Sequence, residues 1–533
     1  MKKIIVSLLA VTFASTMVSC LKDAENTGVL GEERRQELIE DNPDQILSSA
    51  LAGMSANIQS ACYSNLSHNY FGQKSFDYLT SLMGNDMVMT GAFAMSYYHY
   101  LLDYWQQEYT CTYNRWDEYY THIADANNIL RAIDPDTDDP AVLYYRATAL
   151  AFRGYAYFQL TSLYQHAYYT GADGTVWGKG AHYDWSEALC VPIVTEDTDG
   201  DQPRSTVKEV YAQMIGDLEE AYEIFSEIGR IHTADPTDFD GTVVAMYLAR
   251  ANMVRHNWAD ALKYAQVVID NYPILTSRDD ILYGFSSLSL PDVVFGCDVT
   301  NDNTTVYMSW FSQMDMFGDG YAAIGVWRAG NKDLVDQIKD DDVRLDWFWT
   351  SRNLSKLASE FGMMGAYVYY QSCKFIGGGR PNTIVDTDND CLYCPNWELG
   401  DYIYLRSEEA YLMKAEILAH QNNLAGAADA LEQFMKTRCP SYSCDAVKGN
   451  KAKLIEEIIL QKRIEFWGEG LEWLDNRRLN IPVDRTSATN NHLAAAKDYW
   501  DQEEPPFAYQ IPLREIENNK MISPEDQNPD YGL

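Results

Sequence analysis

The chain has 533 residues, of which 46% are hydrophobic and 22% charged, with a mean hydropathy of -0.34; this is the composition of a folded globular body, not of a polytopic membrane protein or a disordered chain. Lys and Arg number 41 against 78 Asp and Glu, a net charge of -37. No window clusters cations, which argues against a nucleic-acid partner, because binding a polyanion requires a basic face. Tyr (38) and Trp (13) outnumber Phe (18), and rings with an apolar face and a polar edge suit wet, amphipathic ligands.

The first twenty residues read as a charged start (Lys2, Lys3), an apolar stretch from Ile4 to about Val18, then Ser19 and Cys20. The pattern predicts a signal peptide over 1–19. The stretch is short for crossing about 30 Å of hydrocarbon, and Lys22, Asp23, Glu25 and Asn26 follow at once. Ser19-Cys20 resembles the lipobox of bacterial lipoproteins, with Met17 where Leu is usual. Cys20 is then the lipidation site and 20–42 a tether. The alternative is ordinary cleavage between Ser15 and Ser19 that leaves Cys20 a plain thiol.

Helical periodicity dominates the next several segments. A weak pair is expected from 44–59 with Trp116–Ile133. Over 141–164, Leu143, Ala147, Leu150, Gly154, Tyr157 and Phe158 fall at three- and four-residue steps opposite Arg146 and Arg153, which predicts a packed helix. A helix pair is expected over 241–271, with Val244, Tyr247, Leu248 and Ala251 facing Ala261, Tyr264, Ala265 and Val268 across a turn at His256-Asn257. Another spans 405–438, with Tyr411, Leu412, Ala415 and Leu418, then Ala427, Ala430, Leu431 and Phe434. These helix–turn–helix units with small inner residues resemble tetratricopeptide repeats, which bury their faces only against a neighbour. The expected fold is mainly α, a tetratricopeptide-like scaffold of helical pairs with long loop-rich insertions. The insertions are expected over 80–113, 171–204, 279–326 and 362–400. Two regions, 43–275 and 276–533, are expected to pack as one body.

Nine cysteines follow Cys20: Cys62, Cys111, Cys190, Cys297, Cys373, Cys391, Cys394, Cys439 and Cys444. Cys391 and Cys394 with Cys439 and Cys444 could form a four-thiolate zinc site, local disulfides, or stay free. Three runs, Asp134-x-Asp136-x-Asp138, Asp197-x-Asp199-x-Asp201 and Asp386-x-Asp388-x-Asp390, begin like calcium loops. None has Gly at the sixth position, and Tyr145, Lys208 or Trp397 stands where a bidentate Glu closes such a loop. Solvated acidic loops are the expectation, with no metal and no cofactor.

From Leu460 the chain reads LQKRIEFWGEGLEWLDNRRL, an ion-paired helix in which Arg463, Glu465, Glu469, Asp475, Arg477 and Arg478 surround Ile464, Trp467, Leu471 and Leu474. This run resembles a hallmark of the SusD/RagB family, with Glu472 in place of an Arg. Four more segments are similar to family patterns: Trp116–Leu130 (WDEYYTHIADANNIL), Asp341–Arg344, Leu405–Glu416 (LRSEEAYLMKAE) and Ile511-Pro512 with Glu515 and Asn518. The ending Gln527-Asn528-Pro529-Asp530-Tyr531 also fits, with Asp530 where the family has Gly.

The resemblance implies a surface-exposed outer-membrane lipoprotein, anchored through its lipid, that captures oligosaccharide or polysaccharide and delivers it to a SusC-type TonB-dependent transporter. A peptide-binding member of the same family is the alternative within the family. A secreted glycoside hydrolase is the catalytic alternative, but the chain has no G-x-S-x-G, H-E-x-x-H, P-loop or Rossmann glycine run, and it is read as no enzyme. Ligand contacts are expected from rings in two loops. The first, 93–113, offers Tyr97, Tyr98, Tyr100, Tyr104 and Trp105. The second, 301–327, offers Trp310, Tyr321 and Trp327, with Tyr307, Phe311 and Phe317 beside them. Trp116, Trp467 and Trp473 are expected in the core.

Overall fold

Helices are set by their caps and their buried faces. In the computed structural model, which describes residues 43–59, 70–90, 98–102, 105–361, 369–379, 396–502 and 507–529, the long helices are α1 (Pro43–Gln59), α2 (Gln73–Met83), α3 (Thr110–Ala132), α4 (Pro140–Tyr164), α5 (Val207–Glu227), α6 (Gly241–Val254), α7 (Trp258–Asn271), α8 (Glu408–His420), α9 (Leu424–Met435), α10 (Lys451–Glu465) and α11 (Leu471–Leu479). Pro140 opens α4 where a missing N–H costs nothing, and Asp139 accepts from the Ala141 N–H. A reciprocal capping box of Thr206 and Glu209 starts α5. Asp240 caps α6 by accepting the Thr242 and Val243 N–H groups, and Asn450 caps α10 by accepting that of Lys453.

The chain divides into two units, Met1–Ser49 and Ala50–Leu533. Within the larger one, α3 packs on α4, α4 on α5, α5 on α6, α6 on α7, α7 on α8, and α8 on both α9 and α10. This is the expected run of helical pairs, with one correction. The main partner of α3 is α4 and not the early helix, because the α4 face of Ala147, Leu150, Ala151 and Tyr155 is wholly buried. Gly154 allows α4 to approach α5 closely: a Cβ there would lie 2.6 Å from Leu218 Cγ. Leu412, Ala415, Ala419, Ala427, Leu431, Leu454, Ile455 and Ile458 form the core of α8, α9 and α10. Full burial of each larger apolar side chain contributes about 1.5–3 kcal/mol.

Short antiparallel strand pairs stitch the insertions to this scaffold. The strands used below are β1 (Met87–Met89), β2 (Leu189–Pro192), β3 (Arg204–Thr206), β4 (Val293–Cys297), β5 (Arg328–Gly330) and β6 (Tyr402–Arg406). β1 pairs with β5 in the register Met87↔Gly330 to Met89↔Arg328, β2 with β3 and β4 with β6. The run from Leu460 is two helices and not one: α10 ends at Glu465 and α11 begins at Leu471. Gly468 and Gly470 turn the chain at φ 83° and 81°. Those values suit glycine, and a Cβ on Gly470 would also meet Asp77 Cα at 2.9 Å. Among the described residues no helix is long and apolar enough to cross a membrane. Residues 1–42, with Cys20, the expected leader and the tether, lie outside the described residues, as do Cys62, Cys391, Cys394 and 386–390.

Candidate functional site

Two kinds of site can be built from the motifs: a charged one and an aromatic one. The charged residues converge. Glu465, wholly buried, accepts from Arg438 (3.0 and 3.3 Å), Arg406 (3.3 Å) and Arg344 (3.4 Å). Arg344 also pairs with Asp342 (2.7 Å), and Arg438 with Glu408 (3.0 Å). Glu469 pairs with Arg406 (2.9 Å) and Lys374 (2.6 Å), and the Lys374 ammonium also donates to the carbonyls of Glu465 and Trp467. Burial alone would raise both glutamates, but Arg438, Arg406 and Arg344 outweigh it at Glu465 and hold that carboxyl well below the usual range. Arg406 and Lys374 likewise hold Glu469 down to about 2.

A second buried cluster joins Arg478, Lys462, Asp475 and Glu416, with Arg478 at 2.7 Å from Glu416. Arg463 grips Asp86, and Glu472, the departure from the family pattern, accepts the N–H groups of Asn85 (2.5 Å) and Asp86 (3.3 Å). Burial first, and the neighbouring Asp86 carboxylate next, push Glu472 up to about 7 against the pull of Arg463. These motif charges, most of them buried, find partners in distant chain segments and clasp the scaffold.

The aromatic site has a different geometry. Thr90, just after β1, donates its N–H to the Trp327 carbonyl (3.0 Å), just before β5. The β1–β5 ribbon therefore ties the segment that leads into the first ring-rich loop to the end of the second. The second loop is built on the scaffold: Ser309 caps the helix Trp310–Met314, Ala322 N–H donates to the Ser312 carbonyl, the Thr304 hydroxyl donates to the Glu398 carbonyl (2.7 Å), and Gly318 sits against the Trp397 ring. Asp315 accepts the N–H groups of Phe317 (2.7 Å) and Gly377 (2.9 Å). Burial raises its carboxyl to about 6. Val306 is held at φ 50°, a left-handed conformation that a β-branched residue adopts only under strain of about 1–2 kcal/mol. The next residue, Tyr307, is 49% exposed.

The expected ligand rings separate into three groups. Tyr321 and Trp327 are half-buried and keep accessible surface, and they stand with Tyr307 and the 62% exposed Ile324 on the second loop. Tyr100, Trp105 and Trp310 are corrections: at 0%, 1% and 1% exposure they present no face to a ligand. Tyr100 donates its hydroxyl to His492 Nδ1 (2.9 Å), since the other ring nitrogen of His492 lies 3.0 Å from the Asn85 carbonyl and carries the proton. Burial, then Arg485, lower His492 to about 3 and keep it neutral. Trp105 lies beneath the C-terminal segment, with Gln510 N–H on its carbonyl (3.0 Å). Trp310 packs edge-on to Phe375 at 5.1 Å, with the Lys74 ammonium 4.7 Å from its ring centre. Tyr98 begins a one-turn 3-10 helix, Tyr98–Leu101, and Tyr97 and Tyr104 lie outside the described residues.

Trp116, Trp467 and Trp473 are buried, as expected. Cys439 and Cys444 are free thiols. Cys439 faces Asp341 (3.3 Å) and Cys444 faces Tyr442 (3.8 Å), so they form no disulfide with each other. Asp134 caps its own turn through the Asp136 N–H, and among the described residues no group of three His, Cys, Asp or Glu is placed to hold a metal.

Residues 40–238 match a SusD-like family described as starch-binding and associating with the outer membrane, and residues 395–531 match the SusD family. The chain is 22% identical over 405 residues to SusD-like protein P38 of Formosa agariphila, covering 71% of this chain and 74% of that one. A crystal structure of a SusD-like carbohydrate binding protein from Bacteroides vulgatus superimposes with a TM-score of 0.71 at 22% identity over 92% of this chain and 98% of that one. Surface glycan-binding protein A from Bacteroides thetaiotaomicron, in complex with laminarihexaose, does so with a TM-score of 0.63 at 15% identity, covering 90% and 98%. At these identities the structural likenesses establish the shared fold. Taken with the matched family regions and the motif charges found clasping the scaffold, they place the chain in the SusD/RagB family.

Proposed function

We propose that this protein is a surface-exposed, lipid-anchored receptor of the outer membrane that binds oligosaccharide at the second ring loop and delivers it to a SusC-type TonB-dependent transporter. The observation that carries this reading is the second ring loop: the bond from Thr90 to Trp327 ties its end to the β1 segment, and Tyr307, Tyr321 and Trp327 keep accessible faces on it. Such rings stack on the C–H faces of pyranoses, while neighbouring polar groups such as Asp319, 3.4 Å from the Tyr307 hydroxyl, serve sugar hydroxyls. Asp315 of the same loop is spent on the backbone N–H groups of Phe317 and Gly377, which leaves Asp319 as the carboxylate beside the exposed Tyr307. The net charge of -37 supports a second reading, cationic peptide as ligand.

Calorimetric titration with a panel of hexasaccharides, laminarihexaose among them, and with a tryptic peptide digest separates the two ligand classes. Each stacked ring contributes about 0.5–1.5 kcal/mol beyond its area, so Tyr307→Ala with Trp327→Ala weakens binding by about 5- to 150-fold. Unchanged affinity in that double variant refutes the site. Recovery of the tagged protein from solubilised outer membranes together with a TonB-dependent barrel tests the partner, and recovery alone refutes it.

A further inference from the structure

Away from the ring loops, a cleft of about 530 Å³ opens between α3, the β2–β3 connection and the short helix Leu513–Asn518. That volume lies within the range of about 300–1,000 Å³ typical of small-molecule sites. One face of α3 forms the inner wall, with Trp116, Asp117 and Tyr120 three, four and seven residues beyond Tyr113. The Tyr120 hydroxyl donates to the Pro192 carbonyl (2.7 Å) and closes the floor. The far wall is pinned by Asn519, which donates to the Gln202 carbonyl (2.9 Å), and by the Lys520 N–H on Asp201 Oδ2 (3.1 Å). The Arg514 guanidinium lies 4.4 Å from the Tyr113 ring centre.

Asp117 points to an occupant. Its Oδ1 accepts the Tyr113 hydroxyl (3.0 Å), whereas its Oδ2 is shielded from solvent and has no donor among the described residues. Leaving a buried carboxylate oxygen without a donor is costly, and a ligand O–H or N–H relieves it once the carboxylate turns into the cleft. Glu515 and Asp201 line the same cleft, opposed by the one Arg514, so the surroundings repel anions.

We propose that this cleft is a second carbohydrate subsite, taking one or two rings of a neutral or amino sugar and rejecting uronates and sulfated sugars. Asp117 accepts a sugar hydroxyl or ammonium, Arg514 and Asn518 donate to sugar oxygens, and the aromatic face of α3 backs the ring. The inference rests on the carbohydrate reading above but uses other residues, so the two can fail separately.

The test is calorimetric titration of the intact protein with laminarihexaose, cellohexaose, maltohexaose, mannohexaose, a chitosan hexamer and hexagalacturonate. The expected result is two classes of site for at least one neutral or amino hexamer. Asp117→Asn weakens one class at least tenfold and leaves unchanged the class that Tyr307→Ala with Trp327→Ala weakens. Asn518→Trp, at an exposed position, fills the cleft and gives the same loss, which keeps the test intact should Asp117→Asn not fold. A single class of sites weakened by Tyr307→Ala with Trp327→Ala, isotherms of both cleft variants that superimpose on the wild type, or an Asp117-dependent preference for hexagalacturonate overturns the subsite. Two classes of which that double variant weakens neither overturn the loop site alone, and no heat from any sugar overturns both.

Discussion

Glu465 is the carboxylate on which three guanidiniums converge, and removing its charge isolates the effect of burial on an ion pair. In Glu465→Gln the shape is kept, but Arg344, Arg406 and Arg438 lose a common counter-charge at a wholly buried position. An amide N–H₂ also faces donors where an oxygen accepted. Breaking a buried pair by neutralising one partner costs about 3–5 kcal/mol. At about 2.1 cal/mol/K per residue, the unfolding entropy of a body of roughly 480 residues is about 1 kcal/mol/K, so the melting temperature falls by about 3–5 °C. Arg146 and Glu220 supply the control, since their 2.6 Å contact is at least as short but the side chains are 17% and 45% exposed. Glu220→Gln costs at most about 1 kcal/mol, or about 1 °C. Differential scanning fluorimetry of both variants at pH 7 and low salt reads the contrast directly. If Glu465→Gln lowers the melting temperature no more than Glu220→Gln does, the clasp contributes nothing and the account of the motif charges is wrong.

Three further outcomes follow from the same structure. Glu472, with its folded-state value raised to about 7 above an unfolded value of about 4.3, contributes stability that is full below the unfolded value and is lost as pH rises through 7. Melting curves from pH 5 to 8 therefore show Glu472→Gln gaining on the wild type as pH rises, and a constant gap refutes the assignment. Glu469, held at about 2 by Arg406 and Lys374, acts in the opposite sense: its contribution is present above about pH 4.5 and is lost as the pH falls toward 2, so Glu469→Gln removes that part of the acid sensitivity seen in pH-jump unfolding. Trp105→Ala opens a cavity where a fully buried indole stood and costs about 3–5 kcal/mol. Calorimetry on the folded fraction shows glycan affinity unchanged, and a selective loss of affinity would return Trp105 to the binding surface.

The helical pairs were legible because their apolar residues recur at the helix period: Val244, Leu248 and Ala251, or Leu412 and Ala415, are all buried, and local spacing alone dictates that. The loops were legible as dense runs of rings. Which ring stays exposed was not, because Trp310 and Tyr307 are three residues apart and differ only in what lies over them. Lys74 and Phe375 cover Trp310, and neither is near it in sequence. The break at Gly468 and Gly470 was masked by the apolar stripe that continues across it. The cleft beside Asp117 had no linear signature at all, since its walls come from residues 113–120, 192–202 and 514–519.

The bond between Thr90 and Trp327 joins residues 237 positions apart. Closing so large an interval of chain is entropically costly and slow, so the start of the first ring loop gains its anchor late in folding, and any fragment of the chain that stops before residue 328 keeps its helices but lacks the strand that holds this ribbon together.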